Sequence, residues 1–167
     1  MTCRSFTALI VALLGLLTTV SLAHAQEIAS LSDLKGDWTS TDPAFGAPAA
    51  SSLSWTPVLN GKFYRLDYQI NRAGDDGNVP IFQGVAFYRE KEDGTLEAFW
   101  ADSGGDLLPI NADSDGTALI ANWGTDGSKQ GTTRYELTTD GTLMVTDKIL
   151  MDGDWREFNR STFHRAP

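Results

Sequence analysis

The side chains best suited to chemistry in this sequence are aromatic, and they recur where apolar and polar residues alternate. Tyr64, Tyr68, Trp100, Trp123, Tyr135 and Phe158 each sit in such a stretch, which puts them on the apolar face of a strand. Phenols and indoles turned toward one interior make an apolar cup whose hydroxyl and ring N–H groups orient a bound molecule. Near the end of the chain, Arg156, Phe158, Arg160, Thr162 and His164 share one face by alternation, opposite Trp155, Glu157, Asn159, Ser161 and Phe163. If the first set faces inward, Arg160 is placed to hold a ligand carboxylate in a bidentate, charge-assisted pair. If it faces outward, these cations only offset an acidic surface. The ligand-binding candidates are therefore Tyr64, Tyr68, Trp100, Trp123, Tyr135, Phe158 and Arg160.

Catalytic and metal-binding patterns have less support. The acidic residues lie mostly in turns, there is no phosphate-cradling glycine loop, and a Ser-His-Asp set has only the terminal His164 to draw on. The exception is an interior acid such as Asp147, or Asp67 if that strand faces the other way, with Tyr64 or Arg160 as partner. A buried carboxyl with a raised pKa serves as acid or base. Nothing in the spacing requires this, and no catalytic residue is assigned. The segment NADSDG, Asn111 to Gly116, imitates the opening of a calcium loop, but its twelfth position is Asn122 rather than Glu and a strand follows it. It reads as a turn, and no metal is assigned.

The first residues explain where such a cup would work. MTCRSFTALIVALLGLLTTVSLAHAQ carries one cation, Arg4, an apolar run from Phe6 to Val20 and the triplet Ala23-His24-Ala25. This is the layout of a secretory signal peptide spanning residues 1–25. Its removal takes away Cys3 and His24, so the mature chain, residues 26–167, has no cysteine and one histidine. Disulfides, a Cys nucleophile and zinc or copper sites built on sulfur and imidazole are thereby excluded. Loss of Arg4 takes the formal charge from −9 to −10, which disfavours nucleic acid and anionic membranes as partners. A periplasmic or secreted protein, not inserted in the membrane after cleavage, is expected.

The elements that must position the aromatics are strands. Asn60-Gly61, Asp76-Gly77, Asp93-Gly94, Asp115-Gly116, Asp126-Gly127, Asp140-Gly141 and Asp152-Gly153 are dipeptides that accept positive φ in hairpin turns. Between them the composition predicts nine strands, near 37–41, 52–58, 62–70, 81–89, 95–102, 117–123, 132–138, 142–150 and 155–165. Residues 42–51, 71–80 and 103–109 read as loops, and Ile28 to Leu34 as one helical turn capped by Ser30 or Ser32. Sequential hairpins in one domain predict an all-β, antiparallel up-and-down β-barrel of about 8–10 strands.

A helical turn, then Gly36-Asp37-Trp38 opening the first strand, then a meander ending in an Arg-bearing strand resembles the calycin superfamily of lipocalins and fatty-acid-binding proteins. NGKFYRLDYQI, LEAFWADSGG and WREFNRSTFHR resemble most the bacterial exported lipocalin-like domains of unknown function. The resemblance implies that Trp38 plugs the closed end of the barrel, with Arg165 or Arg160 packed across it. It implies a small apolar or amphipathic ligand. A calycin-like enzyme (isomerase or non-oxidative lyase) and a packed barrel acting as an envelope interaction module are the alternatives. Nitrobindin-like barrels, which hold haem through a last-strand histidine, give His164 a minor haem reading. The other glycines of that group's amino-terminal pattern are missing from GDWTSTD, and no cofactor is assigned.

Overall fold

The computed structural model describes residues 30–72 and 80–167. The leader at 1–25, the start of the helical turn at Ile28 and the Asp76-Gly77 turn lie outside the described residues. One 3-10 turn, Leu31–Leu34, comes first. Ser30 N–H donates to Asp33 Oδ2 at 2.9 Å and Ser32 N–H donates to Ser30 Oγ at 3.2 Å, so the turn is capped reciprocally.

Ten antiparallel strands follow: β1 (Gly36–Ser40), β2 (Ala49–Val58), β3 (Phe63–Arg72), β4 (Pro80–Glu90), β5 (Leu96–Asp102), β6 (Leu107–Ser114), β7 (Ala118–Gly124), β8 (Gln130–Leu137), β9 (Leu143–Met151) and β10 (Asp154–Arg165). Each pairs with its sequence neighbours, and β1 pairs with β10 as well, closing an up-and-down barrel. Closure satisfies the strand edges that a flat sheet of this width would leave open. The glycines at 61, 94, 116, 127, 141 and 153 all sit at hairpin turns with positive φ. Asp152 and Gly153 form a two-residue loop in which both φ values are positive, as a type I′ turn requires.

The expected set of nine strands is one short. Strand β6 occupies ground read as a loop at 103–109 and as the calcium-like turn at 111–116. Its residues have low β propensity, with Pro109, Asn111 and Asp113 on the outer face. Leu108, Ile110 and Ala112 nevertheless alternate inward, and pairing on both sides with β5 and β7 overrides the local preference.

The two ends differ. The end holding the 3-10 turn and the β2–β3, β4–β5, β6–β7 and β8–β9 hairpins is packed solid around Leu34, Trp38, Leu66, Leu119, Leu143 and Phe163. At the opposite end the wall is incomplete. Strand β1 stops at Ser40 and shares only the pairs Trp38↔Arg165 and Thr39↔His164 with β10, which continues upward alone on that side. Asp42 Oδ2 accepts the Thr162 N–H at 2.6 Å where a strand partner runs out.

Candidate functional site

The Gly-x-Trp stretch belongs to the closed end. Trp38 is fully buried, its Nε1–H donating to Leu34 O at 2.9 Å. The Arg165 guanidinium lies 3.9 Å above the indole centroid, close enough for a strong cation-π contact. It also donates to Lys35 O and, at 3.3 Å, to Asp33 O, satisfying carbonyls of the capping turn. Gly36 is required for two reasons: its φ is +117°, and a Cβ there would lie 2.6 Å from Arg165 Nη1. Arg165, rather than Arg160, is the arginine packed on Trp38.

Above this plug a cavity of about 510 Å³ opens toward the incomplete end. Its size falls in the range that encloses a small organic ligand. Two aromatic groups contribute to its wall: Tyr88 and Tyr135, which pack on the buried Trp55 at 5.1 and 5.3 Å, and Tyr68, Phe82 and Trp100, which lie within 6.5 Å of one another. Two glycines keep this wall thin. An added Cβ on Gly84 would lie 2.0 Å from the Trp100 ring, and one on Gly131 would lie 1.9 Å from the Trp123 ring. Each indole therefore lies flat over a glycine of the adjacent strand, which leaves the middle of the barrel open. Phe45, Ile81, Leu107, Trp155 and Phe158 are exposed around the opening.

The polar centre of the cavity is a row across β8, β9 and β10. Thr133 and Asn159 flank Asp147 as cross-strand partners. Thr133 Oγ1 donates to Asp147 Oδ1 at 2.6 Å, and Asn159 Nδ2 donates to Asp147 Oδ2 at 2.8 Å. Behind them, Trp123 Nε1 donates to Thr133 Oγ1 at 3.3 Å and Ser161 Oγ donates to Asn159 Oδ1 at 3.4 Å. Every link points toward the carboxylate, the arrangement that suits an ionised acceptor. Burial nevertheless raises the Asp147 pKa, outweighing the two hydrogen bonds that lower it. Asp147 keeps some accessible surface, and what it faces is the cavity it lines. Burial first, and then the Asp147 charge, push the Tyr68 phenol above the usual tyrosine range. Burial likewise raises Tyr88 and Tyr135, with a smaller contribution from the Asp147 charge.

A β-bulge creates this row. The register steps from Glu157↔Lys148 to Asn159↔Asp147, leaving Phe158 as the extra residue. Simple alternation puts Phe158 on one face with Arg160, Thr162 and His164. The bulge separates them, so Phe158 lines the cavity while Asn159, Ser161 and Phe163 turn inward below it. Arg160 is consequently exposed on the outer wall, paired with Glu157 at 2.7 Å and in contact with Met144 Sδ at 3.6 Å. His164 is also exposed and does not line the cavity.

Of the residues singled out from the sequence, Tyr68, Trp100, Trp123, Tyr135 and Phe158 line the cavity together. Tyr64 does not; it packs against the core nearer the closed end. Asp67 lies outside, ion-paired with Arg65 at 2.6 Å. In the calcium-like segment, Asp115 is held by Arg134 at 2.6 Å and by the turn's own N–H groups, and these contacts lower its pKa. A second concavity, of about 630 Å³, lies on the outer wall of β1–β5. It is open to solvent, and several of its polar side chains bond to one another, as in Ser54 Oγ donating to Asp37 Oδ1 at 2.6 Å. Tyr88, Thr133 and Asn159 escaped the sequence reading. Tyr88 alternates inward in β4 and was legible, whereas Asn159 required knowledge of the bulge. No protein-family model matches this chain, and comparison with curated proteins found no match.

Proposed function

We propose that this is an exported, calycin-like protein that holds one small apolar or amphipathic molecule inside its barrel. The observation that carries the reading is the cavity of about 510 Å³, lined largely by aromatic and aliphatic side chains, with the Thr133–Asp147–Asn159 row inside it and Asp102, Asp106 and Lys129 also in its lining. An apolar lining with a few convergent polar groups is the usual makeup of a ligand site. The glycine seats beneath Trp100 and Trp123 support it further, since a barrel packed solid gains nothing from keeping its indoles against the wall. The plug of Trp38 and Arg165 supports the calycin likeness, and the apolar leader sequence supports export.

The test is titration of the leader-free protein with the neutral fluorophore N-phenyl-1-naphthylamine. Saturable uptake of one molecule per barrel, with quenching of tryptophan emission, is expected. Absence of saturable uptake overturns the reading in favour of an interaction module. The raised Asp147 carboxyl favours one second reading, a barrel enzyme in which this group moves a proton. That reading requires chemical turnover of a molecule that enters the cavity, whereas a binding protein returns its ligand unchanged.

A further inference from the structure

From the cavity's charge balance and the direction of its hydrogen bonds, we propose that the ligand is an organic cation: an ammonium group seated at Asp147 with its hydrocarbon directed toward the open end. The proposal rests on the binding function above and specifies its ligand class.

The described cavity lining holds three carboxylates, Asp102, Asp106 and Asp147, and one cation, Lys129. Lys129 is ion-paired to Asp106. Asp102 is occupied at the opening by Trp100 Nε1 at 2.9 Å and by the Gly104 and Asp106 N–H groups at 2.8 and 3.2 Å. Asp147 lies deepest and has no cationic partner among the described residues. It receives one neutral donor on each oxygen. A carboxylate oxygen accepts about two hydrogen bonds, so capacity remains on the side facing the cavity.

An anionic ligand is disfavoured. A fatty-acid carboxylate seated here would meet Asp147 without a compensating charge, because Arg160 is on the other side of the wall. A neutral alcohol could donate one hydrogen bond, but would leave the buried charge uncompensated. An ammonium group donates to Asp147 and neutralises it, and Tyr68, Tyr88, Trp123 and Tyr135 line the same cavity, where aromatic rings favour a cation. Burial first, with the Asp147 charge adding to it, raises the pKa of the Tyr68, Tyr88 and Tyr135 phenols, so they bring no negative charge into the cavity to compete with Asp147.

The experiment displaces N-phenyl-1-naphthylamine at pH 7.5 with three chains of equal length: decylammonium, decanol and decanoate, each below its micellar concentration. Decylammonium is expected to displace the probe at about tenfold lower concentration than decanol, with decanoate weakest. Asp147→Asn should remove the advantage of decylammonium while decanol still competes. If the probe binds but decanol or decanoate competes as well as decylammonium, or if Asp147→Asn keeps the full preference, the cation assignment is overturned and the binding function stands. If the probe does not bind at all, both fail. The ranking of the three chains is read on the unaltered protein, so it decides the matter even if the variant does not fold.

Discussion

Replacing Asp147 by Asn should stabilise the empty protein at neutral pH, although it removes one member of a hydrogen-bonded row. Burying an ionised carboxylate costs several kcal/mol. The donors Thr133 at 2.6 Å and Asn159 at 2.8 Å return about 1.5–3 kcal/mol each as bonds to a charged group. The raised pKa shows that burial wins, and a residual penalty of about 1–2 kcal/mol is the consistent size. Because the folded state holds the Asp147 proton more tightly than the unfolded chain, the group's contribution is most favourable below the unfolded value of 3.8. That contribution is lost as pH rises through the higher folded value. An Asn side chain keeps an acceptor for Thr133, and the Asn159 amide can turn to accept from it, with no charge to bury. At pH 8, Asp147→Asn should therefore melt about 3–8 °C higher than the unaltered protein, and the difference should shrink toward pH 4. Thermal melts of both proteins across that range measure it. A variant that melts lower at pH 8, or by an offset independent of pH, would refute the argument.

The remaining expectations concern packing. Trp38→Phe loses the bond to Leu34 O and part of the surface beneath Arg165, and should cost at least ~2 kcal/mol in urea unfolding. Trp55→Phe should stay within ~1 kcal/mol of neutral in the same assay: Trp55 Nε1 is buried without a partner among the described residues, so deleting that orphan offsets the lost packing. Gly131→Ala has no unfavourable φ to overcome but places a Cβ 1.9 Å from the Trp123 ring. The indole must swing into the cavity, and N-phenyl-1-naphthylamine affinity should fall about tenfold or more, read by fluorescence titration. Arg165→Ala should cost ~1–2 kcal/mol by chemical unfolding and leave probe affinity unchanged, because it acts at the opposite end from the opening.

Most of the container was legible because closure follows from local signals. Turn glycines at 61, 94, 116, 127, 141 and 153 mark successive hairpins, and alternation such as Tyr64, Leu66, Tyr68 and Ile70 marks the faces between them. Strand β6 was obscured because Pro109 and two short polar residues lower its local preference, while its inward residues Leu108, Ile110 and Ala112 gain their value only from the core they face. The site was less legible for a different reason. Alternation assigns faces only while the register is unbroken, and one extra residue inverts every assignment beyond it.

That single residue decides what the cavity can recognise. An unbroken ladder from Glu157↔Lys148 would set Phe158 opposite Asp147 and send Asn159 to the outer face. Asp147 would then lose the Asn159 amide and rest against a phenyl ring, an environment that drives a carboxyl toward its neutral form. The same unbroken alternation would turn Arg160 inward, placing a guanidinium in the cavity and making the interior suitable for an anion. With Phe158 bulged, the amide supports the carboxylate, the arginine is committed to Glu157 outside, and the phenyl ring borders the cavity beside the gap left by β1. Deleting Phe158 tests the register directly: the shortened β10 can pair without a bulge, with Asn159 still opposite Asp147 and Arg160 still opposite Thr146 on the outer wall. The variant should therefore keep its preference for decylammonium over decanoate, read by probe displacement. A folded deletion variant that prefers decanoate would show that the residues after the bulge do not hold the faces this register gives them.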